Sequence, residues 1–226
     1  MYLTYLHEMA RSLGVKEVRE ELPASGNLSD TLHAATKVVQ EYLSQSGSTP
    51  ISFPSAFVNA TGIGALKVVP DPTMYPVRGQ TVLVRGEAEY ITTIDTADPQ
   101  LGSKTPIMYI LPRVHSGTTV LGGTKDVGNW SGDPDPEVTA EILARTKRWA
   151  PELLNERGEF EILSVQAGLR PARKGGVRVE MEKVGEFLVC HAYGHAGAGY
   201  QNSVGSANKV VKLIESSLVG SAPRKE

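Results

Sequence analysis

The chain has 226 residues, with 23 Lys+Arg against 25 Asp+Glu and a formal net charge of −2. That near-balance argues against a nucleic-acid grip or a basic membrane surface, both of which need clustered cations. With 40% hydrophobic and 21% charged residues wholesale disorder is excluded, and one cysteine, Cys190, leaves no internal disulfide or multi-cysteine zinc site.

No apolar run approaches the roughly 18 residues of a membrane span, and the start MYLTYLHEMARSLG has neither the basic nor the apolar region of a signal peptide. A soluble cytoplasmic protein without a membrane or nucleic-acid partner is expected. The ending SAPRKE is not the S-K-L address of peroxisomes.

Leu3, Leu6, Met9 or Ala10, and Leu13 recur at helical spacing, with Gly14 as the stop and no capping residue in front, so the chain reads as starting inside an element. Val15 to Leu22 reads as a short strand. A second helix is predicted with Leu32, Ala35, Val38 or Val39, and Leu43 on one face and Ser29 or Asp30 as cap. The Ser-, Gly- and Pro-rich stretch 44–54 reads as a loop. The apolar Ala56-Phe57-Val58 then leads into the small-residue turn Asn59 to Gly64. Nucleotide-binding sheets present backbone to a ligand in this way, and a turn without a ligand would look the same.

From Tyr75 the pattern changes to short alternating strands at Thr81–Val84, Tyr90–Thr93, Ile107–Leu111 and Thr119–Leu121, the texture of a mostly antiparallel sheet. Asp135-Pro136-Glu137 opens a helix whose stripe is Val138, Ile142, Leu143 and Trp149. Further strands are expected at Phe160–Val165 and Val177–Glu180. The last unit is apolar Phe187 to Cys190, a Gly-rich loop from Gly194 to Gly199, and a helix with Val204, Ala207, Val211, Ile214 and Leu218 on one face. The fold class is α/β to α+β.

Three features could carry chemistry. The loop before the last helix combines glycines, which let a ligand approach backbone, with a helix N-terminus that favours negative charge; a tight structural turn is the alternative. Arg170 and Arg173 flank a proline in GLRPAR, either as carboxylate-binding forks or as a surface pair. Tyr109 is either a core residue or a hydrogen-bond donor in a pocket. His191 and His195 lack a further ligand nearby for a metal site, and Cys190 reads as a small buried hydrophobe.

The segment HAYGHAGAG at 191–199, followed by Gly205-Ser206-Ala207, closely resembles the C-terminal signature of the FAD-dependent D-amino-acid oxidases. VNATG at 58–62, YPVRGQTVLV at 75–84, YILPR at 109–113, LGGT at 121–124, GNW at 128–130 and GLRPAR at 168–173 follow the family's order, so the resemblance runs from about residue 1 to 218. It implies a partial FAD-binding, Rossmann-like domain plus an antiparallel-sheet substrate domain. The implied division is 1–74 and 166–218 to the former, 75–165 to the latter and 219–226 as a tail.

The resemblance also implies roles. Arg170 and Tyr109 match residues that hold a substrate α-carboxylate, and Gly197 matches the backbone acceptor for its amine. His195, Ala196, Gly197, Ala198, Gly199, Tyr200 and Gln201 match the stretch along the flavin, while Thr61 and Leu22 match the adenosine side. The implied reaction passes the α-hydrogen of a D-amino acid to FAD as hydride, and dioxygen regenerates the cofactor with release of hydrogen peroxide. It needs no side-chain acid or base, only positioning and electrostatic stabilisation. A homodimer and a peroxisomal or cytoplasmic location are further implications.

Two departures shape the expectations. The family's G-x-G-x-x-G turn has no counterpart here, which predicts exposed sheet edges and apolar faces and raises the alternative of an inactive fragment or a module needing a partner chain. After LGGT stands Lys125, at a position near the family's substrate pocket. A lysine there could pair with a second carboxylate and favour acidic D-amino acids, as in the D-aspartate oxidase branch; a solvated lysine is the alternative.

Overall fold

The computed structural model describes residues 2–23, 26–47, 51, 53–94 and 107–220. Parts of the expected loop 44–54 (48–50 and 52) and of the tail (221–226) lie outside these residues. So do residues 95–106.

The first helix, α1 (Tyr2–Ser12), forms as its periodicity predicts, but none of its residues is buried. Leu3 is 61% exposed and Leu13 77%, and Tyr2 contacts the rest of the fold, its ring 5.8 Å from that of Tyr200. The strand expected at Val15–Leu22 does not form: no neighbouring strand accepts its backbone groups, and a strand exists only through such pairing. In α2 (Leu28–Gln45) the cap is Asn27, whose side chain accepts from Ser29 N, in place of Ser29 or Asp30. Its buried face is Leu28, Thr31, Leu32 and Thr36. The threonines are tolerated there because their hydroxyls donate to backbone carbonyls, Thr36 to Leu32 at 2.9 Å and Thr31 to Pro23 at 2.7 Å.

A small sheet follows from β1 (Phe57–Asn59), which leads through the turn at Gly62–Gly64 into the short α3 (Ala65–Val68). β1 pairs in parallel with β9 (Phe187–Tyr193), which pairs antiparallel with β8 (Arg178–Val184). Within the described residues β1 and β8 are the outer strands of this sheet. Leu28 and Leu32 of α2 pack with Phe187 and Val189 on it.

The larger sheet is built on β2 (Met74–Arg85). It pairs antiparallel with β5 (Thr118–Gly122), the short β6 (Asp126–Val127) and β7 (Ile162–Arg173). β4 (Met108–Arg113) joins β5 to the edge strand β3 (Thr92–Ile94). Every pairing in it is antiparallel, as expected. Several bounds differ from the sequence expectation. Tyr90 and Ile91 stay outside β3. β2 begins seven residues before Thr81, and β7 continues through GLRPAR, so both run across prolines and glycines that usually end strands. They can because Pro76 faces Pro171: with neither partner carrying an N–H, this rung is one that needs none.

The core of this sheet joins Val82, Val84, Ile110 and Leu121 to Ile142 of α4 (Pro136–Lys147). Asp135 caps α4, accepting from Glu137 N and Val138 N, as its sequence predicts. Trp149 lies beyond the helix end and is half exposed, outside the expected stripe. The last helix, α5 (Ser203–Gly220), turns its expected apolar stripe outward. Val204 is 64% exposed and Val211 52%, and Val210 is buried instead. With the outward stripe of α1 and the free edge of β1, this is the uncovered apolar surface predicted above. No helix among the described residues is long and apolar enough to cross a membrane.

Candidate active site

The two sheets meet where β7 passes the turn after β9. Ala172 forms an antiparallel bridge to His195, and the cleft beside that bridge has a volume of about 580 Å3. Its walls include Gly79, Gly168 and Arg170 from the large sheet and Gly194, Gly197 and Tyr200 from the turn.

Arg170 is the central side chain. Its guanidinium lies flat over Gly79, where an added Cβ would stand 2.3 Å from it. Its stem lies against Gly197, where an added Cβ would be 3.5 Å from Cδ. Nη1 donates to the Thr124 carbonyl at 3.0 Å. Among the described residues no carboxylate pairs with Arg170, whereas Arg85, Arg145, Arg173 and Arg178 each have one. A half-buried guanidinium without a counter-charge can take an anion in a fork.

Tyr109, on β4, lies near Arg170 but is not among the residues lining the cleft. Its ring covers Gly122 and Gly123, where an added Cβ would meet ring carbons at 2.3 and 2.5 Å. Burial pushes the phenol above its ordinary pKa, against the opposing pull of Arg170. Tyr109 therefore stays protonated and can donate. These glycines, with Gly79, were missed as site residues in the sequence. Their signal was present: a glycine inside a strand marks close approach of another group.

His195, Ala196, Gly197, Gly199 and Tyr200 line the cleft as a group. Gln201 lies instead in an adjoining hollow with His195 and Lys209. His195 Nε2 pairs with Ser206 Oγ at 2.8 Å, tying the turn to α5, and Ala198 N donates to the His195 carbonyl. Thr61 lies in the turn after β1, next to the cleft-lining Ala60 and Gly62. Leu22 lies in the unpaired segment before α2 and does not line the cleft. Lys125 and Arg170 share a second hollow of about 490 Å3, walled by Tyr75, Val77, Ile107 and Ala172.

Behind the cleft runs a chain of polar contacts that leads from the buried Asn59 and His191 to the partly exposed Glu182. Asn59 Oδ1 accepts from Thr61 N and Oγ1, and its amide donates to His191 Nδ1 at 3.2 Å. His191 Nε2 therefore carries the proton and donates to Glu182 at 2.9 Å. Arg178 bonds both Glu182 and Tyr193 Oη, each at 2.8 Å. Burial and the nearby Arg178 hold the His191 pKa below its ordinary 6.5. Cys190 beside it is fully buried, as expected of a small hydrophobe.

A pH dependence follows, with a definite sign. Between the lowered native pKa of His191 and the ordinary 6.5, the unfolded chain binds more protons than the native one. Stability from His191 is then fully present above pH 6.5 and lost as pH falls. We expect the thermal midpoint to decline from pH 6.5 to 5, and His191→Asn to flatten that decline. An equal decline in both proteins would assign it to other groups.

The model of a family described as FAD dependent oxidoreductase matches residues 1–213. The chain belongs to that family. It is 42% identical over 178 residues to a D-amino-acid oxidase of Fusarium vanettenii, covering 76% of this chain and 47% of that one. It is 35% identical over 218 residues to a D-amino-acid oxidase of Schizosaccharomyces pombe, covering 94% and 56%. A crystal structure of glycine oxidase from Bacillus cereus superposes with a TM-score of 0.56 at 25% identity, covering 75% of this chain and 45% of that one. The chain thus spans about half the length of the relatives it matches. The mixed sheets agree with the expected partial FAD-binding domain joined to a sheet domain.

Proposed function

We propose that the cleft binds a D-amino acid for FAD-dependent oxidation to an imino acid, which hydrolyses to the 2-oxo acid and ammonia, with dioxygen as final acceptor. The observation that carries this is Arg170: a half-buried guanidinium with no carboxylate partner among the described residues, set between the Tyr109 phenol and Gly197. Arg170 pairs with the α-carboxylate in a fork, Tyr109 donates to the same group, and the Gly197 carbonyl takes the amine. The site contributes orientation, which suffices without a side-chain acid or base when the α-hydrogen leaves with its electrons.

The residues fit the flavin end of FAD. The cleft wall from Ala196 to Gly199 is nearly bare backbone, against which a flat ring can lie, and the turn after β1 with Thr61 suits the adenosine side. FAD, when bound, supplies the two-electron acceptor. Family resemblance extends this reading to a homodimer of the cytoplasm or peroxisome.

The second hollow supports a refinement of substrate class. Among the described residues no acidic side chain lines it and Lys125 forms no ion pair. A D-amino acid with a second carboxylate would then place one acid on Arg170 and the other on Lys125. The test is to purify the chain with added FAD and record its visible spectrum anaerobically with D-alanine and D-aspartate. We expect flavin absorbance that bleaches with substrate, and a preference for D-aspartate that falls at least tenfold in Lys125→Ala. A preference unchanged by that substitution would dismiss the role of Lys125. A colourless protein would restrict the chain to a carboxylate-binding module that needs a second polypeptide.

A further inference from the structure

Asp71 lies outside the cleft, in the loop between α3 and β2, and is 7% exposed. Its Oδ2 accepts from Arg173 Nε and from Tyr193 Oη, both at 2.9 Å. Its Oδ1 accepts from Thr73 N and Oγ1. Burial alone would raise its pKa, but these bonds from Thr73, Arg173 and Tyr193 hold it well below the usual carboxylate range. The carboxylate is therefore ionised and saturated with donors.

Two arginines of β7 meet two glycines of the turn. Arg170 packs on Gly197, while the Arg173 stem packs on Gly194, where an added Cβ would stand 2.9 Å from the arginine Cβ. Gly194 has φ +86°, a conformation glycine adopts freely, so the turn needs outside contacts to hold its course. Asp71 grips both sides at once: Arg173 belongs to β7, and Tyr193 is the last residue before the turn.

We propose that Asp71 is a positioning residue that clamps the turn 194–199 to β7, setting the distance between Arg170 and Gly197 and spending its charge on Arg173 so that Arg170 stays free for a ligand carboxylate. The pairing separates two arginines of one strand into a fixed one and a binding one. This inference rests on the proposed role of Arg170.

The test uses the full chain and propionate, a monocarboxylate without the amine, titrated by calorimetry. Asp71→Asn is expected to bind propionate at least tenfold more weakly, with a thermal midpoint lower by roughly 10 °C because the buried carboxylate and its pairing with the partly buried Arg173 are lost. Asp71→Asn/Arg173→Met removes both charges, so most of that stability returns while the clamp is still lost. Propionate binding by the double variant should stay at least tenfold weak, and hydrogen exchange at the Ala198 amide should be faster than in the unsubstituted chain, with exchange in β2 unchanged. Recovery of binding along with stability, or unchanged exchange at Ala198, would overturn the clamp. Failure of the unsubstituted chain to bind propionate would overturn the carboxylate role of Arg170, and the exchange measurement would still decide whether Asp71 holds the turn.

Discussion

Arg170→Met should weaken binding of D-alanine or propionate by about 100-fold or more while leaving the thermal midpoint within a few degrees. Two hydrogen bonds to a charged partner contribute about 1.5–3 kcal/mol each, so even their lower sum exceeds the roughly 2.7 kcal/mol of a 100-fold change. The fold loses little, because Arg170 forms no ion pair among the described residues and donates to one carbonyl, that of Thr124. Methionine keeps the stem that packs on Gly197. Arg170→Lys keeps the charge but not the fork, and about tenfold loss is expected. Calorimetric titration distinguishes these cases. Binding by Arg170→Met within threefold of the unsubstituted chain would remove Arg170 from the site and the proposed function with it.

Gln80→Leu should have the opposite profile, a large loss of stability. Gln80 is fully buried on β2, and its amide is the hub of a polar cluster. Its Oε1 accepts from Arg78 Nη2 and from Asp135 N, both at 2.8 Å. Its Nε2 donates to the Asp135 carbonyl at 2.7 Å and to Thr139 Oγ1 at 2.8 Å. Leucine fills the same space and satisfies none of these groups. Arg78, 3% exposed, would retain backbone carbonyls alone as partners, including that of Ser131 at 3.0 Å. Unsatisfied buried groups cost about 1–3 kcal/mol each, and more when charged, so a loss of roughly 3–5 kcal/mol is expected. For a chain of this size that lowers the midpoint by about 10 °C. A denaturation midpoint unchanged by Gln80→Leu would show that the cluster is relaxed by water in solution.

The limits of the sequence are clearest in β7. The residues of GLRPAR are a motif on the page, yet the expected strand stops at Val165, and its continuation through the motif becomes visible only once Pro76 is seen opposite Pro171. The same holds for α5, whose 3-4 apolar spacing is unmistakable and whose direction is not: a helix stripe states that a face exists and leaves open what covers it. Tyr109 could be read as core or as pocket, and the structure packs its ring on Gly122 and Gly123 with the phenol under the pull of Arg170. Gly79 escaped notice because what demands a glycine at that point is a guanidinium from another strand.

Local order was therefore legible from the chain itself: α1, α2, α4 and α5, the antiparallel texture after Tyr75, the Asp135 cap and the glycine-rich turn at 194–199. So was the kinship, since motifs such as HAYGHAGAG keep their order along the chain. These features depend on neighbours a few residues apart, where dihedral preference, capping and periodicity act directly. The pairing of Arg173 with Asp71, the freedom of Arg170, the hub at Gln80 and the outward stripe of α5 depend on residues far apart in sequence. Their partners are chosen by strand register and by the competition of buried charges for the few counter-charges within reach, and those are properties of the assembled fold.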